Sequence, residues 1–188
     1  YKGDGNEWTQ NIIDQTKHMG KLINQLLVLA KLDEVQEKSE KQEADLKLLL
    51  EETIEPFEEV ATQKKVTLKL HLEEGVTIRV NREQIAQLVS ILTENAAKYV
   101  NDGGKIVWRL TKTQHGAVLV VKNTTEKELP DTKRMFDRFY RSDSSRSSKT
   151  GGQGIGLSIA KKIVDSHKGS ITAKAGDGMV TFRVSLPK

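Results

Sequence analysis

Apolar residues in this chain change their spacing from about every fourth position to every second and back, and the order of those changes limits the available folds. Trp8, Ile12, Met19, Leu22, Ile23, Leu26, Leu29, Ala30 and Leu32 recur at helical spacing. That stripe would stay wet on a solitary helix, so it calls for a partner helix or subunit. Glu34 to Glu43 is charged and reads as a linker or a solvated helical turn. Leu46 to Val60 is amphipathic again, with Leu46, Leu49, Leu50, Ile54 and Phe57 on one side. Val66 to Leu72 alternates with period two, as a half-buried strand does, and Val76 to Val80 is a second short strand. Asn81 is suited to cap the helix that follows, which runs to about Tyr99, and Gln84 is placed to close a capping box. Gly103-Gly104 turns the chain into a hairpin of Lys105 to Lys112 and Ala117 to Lys122. Asn123 to Thr150 is polar and irregular, apart from a turn of helix near Asp131 to Phe136. A helix from Ile155 to Ser166 precedes a closing hairpin of Ser170 to Ala175 and Val180 to Leu186. Helices and strands are not regularly alternated, which predicts an α+β class with helices on one face of a mixed sheet.

The 188 residues suffice for one domain and an appendage. There is no cysteine, which excludes disulfides and thiolate metal sites and fits a reducing setting. No apolar run approaches the roughly 20 residues that span a bilayer, and the polar start from Tyr1 to Asn6 is unlike a signal peptide. A net charge of +4 is too modest to argue for nucleic acid. Its distribution is more informative. Lys31 to Glu59 holds eleven acids against four bases, whereas Lys133 to Lys149 holds six bases against two acids. The second segment runs into a glycine cluster, and a positive strip beside flexible backbone suggests an anionic ligand.

Within Gly151 to Val164, Gly152, Gly154 and Gly156 open a helix at every second position. Residues that small let backbone N–H groups approach phosphate oxygens, and the helix N-terminus adds roughly half a positive charge. No Gly-Lys-Ser/Thr follows, so this is not a P-loop, and no strand precedes it to start a βαβ unit. On the central helix, Asn95, Lys98 and Tyr99 stand three and four apart and share one face, with Glu94 adjacent. An amide oxygen, an ammonium and an aromatic ring there suit a metal, a phosphate and a base, although a polar helix face is the plainer reading. Met135 to Arg141, Met-Phe-Asp-Arg-Phe-Tyr-Arg, places two phenylalanines in a polar stretch, where they are expected to anchor the loop on the core.

Taken in order, Glu-Asn-Ala-x-Lys-Tyr, Phe-Asp-Arg-Phe-Tyr-Arg and Gly-Gly-x-Gly-Ile-Gly-Leu resemble the N box, F box and second glycine box of two-component sensor histidine kinases. The resemblance covers about Leu46 to Pro187 and implies a two-layer αβ sandwich of the Bergerat (GHKL) ATPase type. Residues 1–40 then resemble the second helix of a dimerisation and phosphoacceptor stem with its linker, and 41–188 the catalytic domain. The cofactors implied are ATP and Mg²⁺. Asn95 would hold the metal, Lys98 the phosphates, and Tyr99 would line the pocket. Gly152, Gly154 and Gly156 would close over the triphosphate, with Arg141, Ile155 and Leu157 completing the nucleotide contacts. Glu126 to Gly151 would form a lid, clasped by Phe136 and Phe139. Glu94 would be a base if the reaction were hydrolysis.

The chain departs from the family in three places. Relatives carry Asp-x-Gly-x-Gly where this chain has Asn123-Thr-Thr-Glu-Lys, so Asn123 stands where an Asp accepts the adenine amino group. Ile91 replaces a polar residue one turn before Asn95. None of His18, His71, His115 and His167 has the setting of the acceptor, which in the family lies on the first stem helix beside an acid. The resemblance thus implies the cytoplasmic domain of a sensor kinase whose membrane anchor, if present, precedes Tyr1. Its implied partners are a response regulator receiver domain and a second copy joined through the stem helices, with no nucleic acid. A non-catalytic module of the same fold, used for sensing or scaffolding, is the alternative. A gyrase, chaperone or mismatch-repair ATPase is disfavoured by the Phe-Asp-Arg-Phe-Tyr-Arg segment and the stem helix.

Overall fold

A computed structural model describes residues 40–126, 131–140 and 154–188, together with positions 8–10, 12, 13, 15, 16, 19, 20, 23, 27 and 30, which are helical. Trp8, Ile12, Met19, Ile23 and Leu27 at those positions are exposed. Among the described residues no helix is long and apolar enough to cross a membrane.

Seven strands and four helices follow: β1 (Gln42–Asp45), α1 (Leu46–Ile54), α2 (Phe57–Gln63), β2 (Thr67–Leu72), β3 (Thr77–Val80), α3 (Arg82–Tyr99), β4 (Lys105–Thr113), β5 (Gly116–Thr124), α4 (Gly156–Ser166), β6 (Ser170–Gly176) and β7 (Met179–Pro187). The main sheet has the order β2-β4-β5-β7-β6. Its β2–β4 pair is parallel and the other three are antiparallel, so the sheet is mixed. Its inner face carries Trp108, Leu110, Leu119, Val121, Phe182 and Val184, which form one core with Leu88 and Leu92 of α3 and Ile159 and Ile163 of α4. α3 packs against α1, α4 and β5, and is therefore the centre of the helix layer. The α+β class with helices on one face of a mixed sheet, expected from the periodicities, and the two-layer sandwich implied by the resemblance are the fold observed.

Four local expectations are corrected. Residues 42–45 are a strand, not a helical turn: β1 pairs antiparallel with β3 in a separate two-stranded sheet. The amphipathic stretch from Leu46 is two helices, because Pro56 has no N–H to continue the ladder and instead opens α2 as its N-cap. Asp131 to Phe136 makes successive turns, with Arg134 N–H donating to Asp131 O at 3.3 Å and Asp137 N–H to Arg134 O at 2.9 Å, and no α-helix. At the start of α3, Asn81 Oδ1 accepts from Gln84 N–H at 2.9 Å as expected, yet Gln84 does not return the bond. The Asn81 N–H donates instead to His167 Nε2, at 3.1 Å.

His167 is thereby fixed in one tautomer. Its Nδ1–H donates to Ile163 O at 2.7 Å, so Nε2 is the acceptor and the ring is neutral. The ring is buried, and burial is the main cause that holds its pKa below the ordinary 6.5; Lys41 lowers it further and the Ile163 bond opposes both. As pH falls, the unfolded chain takes up this proton first. The stability carried by the neutral ring is complete above about 6.5 and is lost progressively below it. Unfolding free energy measured in urea at about pH 7.5 and about pH 5 should therefore fall more for the native chain than for His167→Gln. Equal losses would remove His167 from the stability of this corner.

Candidate functional site

Three chain segments converge at one end of the helix layer. The first is the last two turns of α3. Asn95, Lys98 and Tyr99 are half-buried there and Glu94 is exposed, as their spacing on one helix requires. The Lys98 ammonium lies 5.1 Å from the Tyr99 ring centroid, a cation–π distance that holds it close to the aromatic face. The Asn95 amide has no hydrogen bond among the described residues, which leaves its oxygen available to a ligand.

The second segment is the start of α4. Ile155 is buried and forms the N-cap without a side-chain hydrogen bond to the first turn. Among the described residues no side chain caps the first N–H groups of the helix, the condition under which a helix terminus takes an anion. Gly156 sits against α3: a Cβ there would meet Ile91 Cγ2 at 3.5 Å. Ile91 is one turn before Asn95, so the start of α4 and the polar face of α3 are neighbours. Ile91 packs against the glycine helix where a polar residue had been sought. Gly154 has φ of +71°, and a Cβ would approach Tyr140 O to 2.6 Å and Phe139 C to 2.7 Å. Only glycine fits that position. Its carbonyl accepts from Phe139 N–H at 2.9 Å, which ties the aromatic turn to the glycine segment.

The third segment is the end of β5. Asn123 pairs with Ile106 on β4 and Val180 on β7 and is 1% exposed on the inner face of the sheet. A short connection, residues 100–104, joins the end of α3 to β4, so Asn123 pairs with the stretch of β4 that follows this connection. Its Nδ2 donates to Thr124 O at 3.1 Å. Asn95, Lys98 and Tyr99 thus lie on the helix against which both α4, with Gly156 and Leu157 at its start, and β5, with Asn123 near its end, are packed. Gly152 and Arg141 lie outside the described residues, as does most of the expected lid.

The aromatic turn behaves otherwise than expected. Phe136 packs edge-on against Phe182 of β7, with centroids 6.4 Å apart, and Met135 is buried beside it. Phe139 is 64% exposed with φ of +63°, so the clasp is Phe136 and Met135 and not Phe139. Arg134 stacks on Tyr140 at 5.0 Å. The sequence also left out Asn101 and Thr125 on the rim. Asn101 Nδ2 donates to Glu126 Oε1 at 3.3 Å while its buried Oδ1 has no partner, and Thr125 N–H donates to Gly178 O at 2.8 Å. Both lie in connections, where periodicity carries no signal.

Residues 80–188 match the family described as histidine kinase-, DNA gyrase B- and HSP90-like ATPase, more than half of the chain. The chain belongs to this ATPase family. The match includes all three converging segments. The sensor protein DltS of Streptococcus agalactiae serotype III is 32% identical over 186 residues, covering 97% of this chain and 46% of that protein. The sensor histidine kinase WalK of Bacillus subtilis is 30% identical over 183 residues, covering 95% of this chain and 30% of WalK. The chain thus spans less than half the length of these two relatives. The nucleotide-free catalytic domain of histidine kinase ThkA superposes with a TM-score of 0.71 at 25% identity, covering 79% of this chain and 96% of that domain. Within the family, the chain is a catalytic domain of the sensor histidine kinase type.

The Gly154 contact yields a direct test. Gly154→Ala must separate residue 154 from Phe139 and Tyr140, so the Phe139 amide should exchange with solvent at least tenfold faster, a loss of about 1.4 kcal/mol of local protection. Unchanged exchange at Phe139 would mean that the close approach is not maintained in solution.

Proposed function

We propose that this chain binds Mg²⁺-ATP between α3, α4 and the end of β5 and donates the γ-phosphoryl group to a histidine on a stem helix outside this sequence. The observation that carries the reading is the placement of α4's uncapped, glycine-flanked start directly beside the Asn95 face of α3. In this reading Asn95 is a metal ligand, Lys98 neutralises phosphate charge, and Tyr99 lines the base pocket. Asn123 accepts the adenine amino group, and Gly152, Gly154, Ile155, Gly156, Leu157 and Arg141 surround the triphosphate. Among the described residues no three His, Cys, Asp or Glu side chains stand together as a metal cage. That suits Mg²⁺, which is commonly held by one or two protein oxygens together with substrate phosphates. When bound, the ion would screen the phosphate oxygens as charge moves to the leaving diphosphate.

The chain's own residues then position and neutralise. Lys98 is pre-oriented by the Tyr99 ring, and the first turn of α4 offers fixed N–H dipoles that need no reorganisation. Glu94 is exposed beside Asn95, where it would serve as a base toward water; transfer to an imidazole takes its base from the acceptor helix instead. The acceptor is assigned elsewhere because the three described histidines are unsuited. His71 is exposed within β2, His115 lies in the β4–β5 turn, and both nitrogens of His167 are committed. His18 lies outside the described residues.

Residues 1–40 are read as stem and linker, and 41–188 as the catalytic unit. The exposed stripe from Trp8 to Leu27 supports a homodimer through that helix. A solved complex of histidine kinase ThkA with the response regulator TrrA has the same fold, with a TM-score of 0.75, and supports a receiver domain as the downstream partner. The setting is cytoplasmic, with any membrane anchor upstream. A second reading, nucleotide binding without transfer, is favoured by one observation: the Asn123 amide donates to the adjacent Thr124 carbonyl, and no glycine follows it.

Calorimetric titration should show Mg²⁺-ATP binding that Asn95→Ala weakens by at least tenfold, about 1.4 kcal/mol. With labelled ATP the chain alone should stay unlabelled, while an added stem bearing its histidine becomes labelled in an acid-labile form. Binding without any transfer would establish the second reading. Unchanged affinity in Asn95→Ala would remove that residue from the site.

A further inference from the structure

The open face of the main sheet carries charge of one sign. Its five strands contain seven lysines and arginines and no aspartate or glutamate. Lys112 belongs to the inner register. The other six, Lys69, Lys105, Arg109, Lys122, Lys174 and Arg183, are exposed and form no ion pair with another described residue. Strand register puts them in rows. One row runs Lys69, Val107, Lys122, Thr181, Lys174 across β2, β4, β5, β7 and β6; the next runs His71, Arg109, Val120, Arg183, Thr172. Cations therefore alternate with small or aliphatic residues, roughly 10 Å apart at two strand spacings. The acids lie on other surfaces, with Glu52, Glu55, Glu58 and Glu59 exposed on and beside α1 and α2.

We propose that this sheet face docks on an anionic membrane surface. A lattice of evenly spread unit charges, without a pocket built for one ligand, matches a surface whose own negative charges are laterally distributed and free to rearrange. Each cation near such a surface adds to the attraction, and the attraction fades within a Debye length. The face fits nucleic acid poorly. It carries no Phe, Tyr or Trp on which a base could stack. At roughly 19 Å between outer strands it is also wider than a major groove of about 12 Å. An acidic protein would need carboxylates at the same repeat. A surface attachment here would present the catalytic opening, on the helix side of the sheet, away from the lipid. The proposal is independent of the phosphoryl-transfer reading.

The test is co-sedimentation of the chain with vesicles of phosphatidylcholine alone and with phosphatidylglycerol added. Binding should require phosphatidylglycerol at about 0.1 M salt and disappear at about 1 M. Neutralisation by Lys69→Gln, Lys122→Gln and Lys174→Gln together should cut the bound fraction's partition coefficient at least tenfold. Reversal by Arg109→Glu, Lys122→Glu and Arg183→Glu should abolish it. All five substituted side chains are exposed, so thermal midpoints should stay near the native value, and the neutralised set gives the reading should the reversed set fold poorly. Binding unchanged in both variants would transfer the attachment to another surface, such as the basic segment 133–149, and overturn the proposal. Equal binding to both vesicle types, or none, would do the same. So would salt-sensitive self-association or duplex DNA binding that the same variants abolish in a chain that ignores vesicles.

Discussion

The side-by-side packing of α3 and α4 on the inner sheet face is the interaction on which the remaining structure depends. The pair has a closed end and an open one. At the closed end His167 receives the Asn81 N–H and so locks the last turn of α4 to the first turn of α3. About 16 Å away along the eleven residues of α4 lie Ile155 and Gly156, where no described side chain caps the helix. Asn95 and Lys98 are brought to that opening by the antiparallel run of α3. There the N-terminal end of the α4 dipole places positive potential, opposed by the C-terminal end of α3 and reinforced by the Lys98 ammonium. A single rigid crossing thus fixes both the stability of one corner and the chemistry of the other.

Charge is distributed around this scaffold with the same economy. The net value of +4 hides an acidic stretch over the linker and α1–α2, a basic sheet face, and a basic strip leading to the glycines. These are three different physical situations. The acids are solvated on helix surfaces, where single ion pairs contribute little. The sheet cations are arrayed in register, and the strip before Gly151 leads into the glycines proposed to hold an anion. The acidic stretch and the basic strip were evident from counting along the chain; the sheet face was not, because sheet register joins residues that are far apart in sequence.

Much of the fold was legible because its long elements repeat a period many times. α3 and the two hairpins were placed within a residue or two, and the i, i+3, i+4 spacing correctly put Asn95, Lys98 and Tyr99 on one face. What failed was set by distant partners. Gln42–Asp45 has no β-branched residue and becomes a strand only because β3 lies beside it. Gln84 lost its capping partner to a histidine 83 residues downstream, counted from His167. Phe136 and Phe139 look equivalent in sequence, but Gly154 holds the Phe139 amide and turns its ring outward. Pro56 was an available signal that the helical period of Leu46 to Val60 obscured.

The central claim is that the opening between α3, α4 and β5 is where nucleotide binds. Amide chemical shifts followed during titration of the isotopically labelled chain with Mg²⁺ and a non-hydrolysable ATP analogue test it directly. The largest changes should fall on Asn95, Lys98, Tyr99, Asn123, Gly154 and Gly156. A polar cleft of about 210 Å³ at the other end of the sheet, lined by Thr113, His115, Lys168 and Ser185, provides the internal control. Changes concentrated at that cleft, with the α3–α4 opening unmoved, would contradict the account.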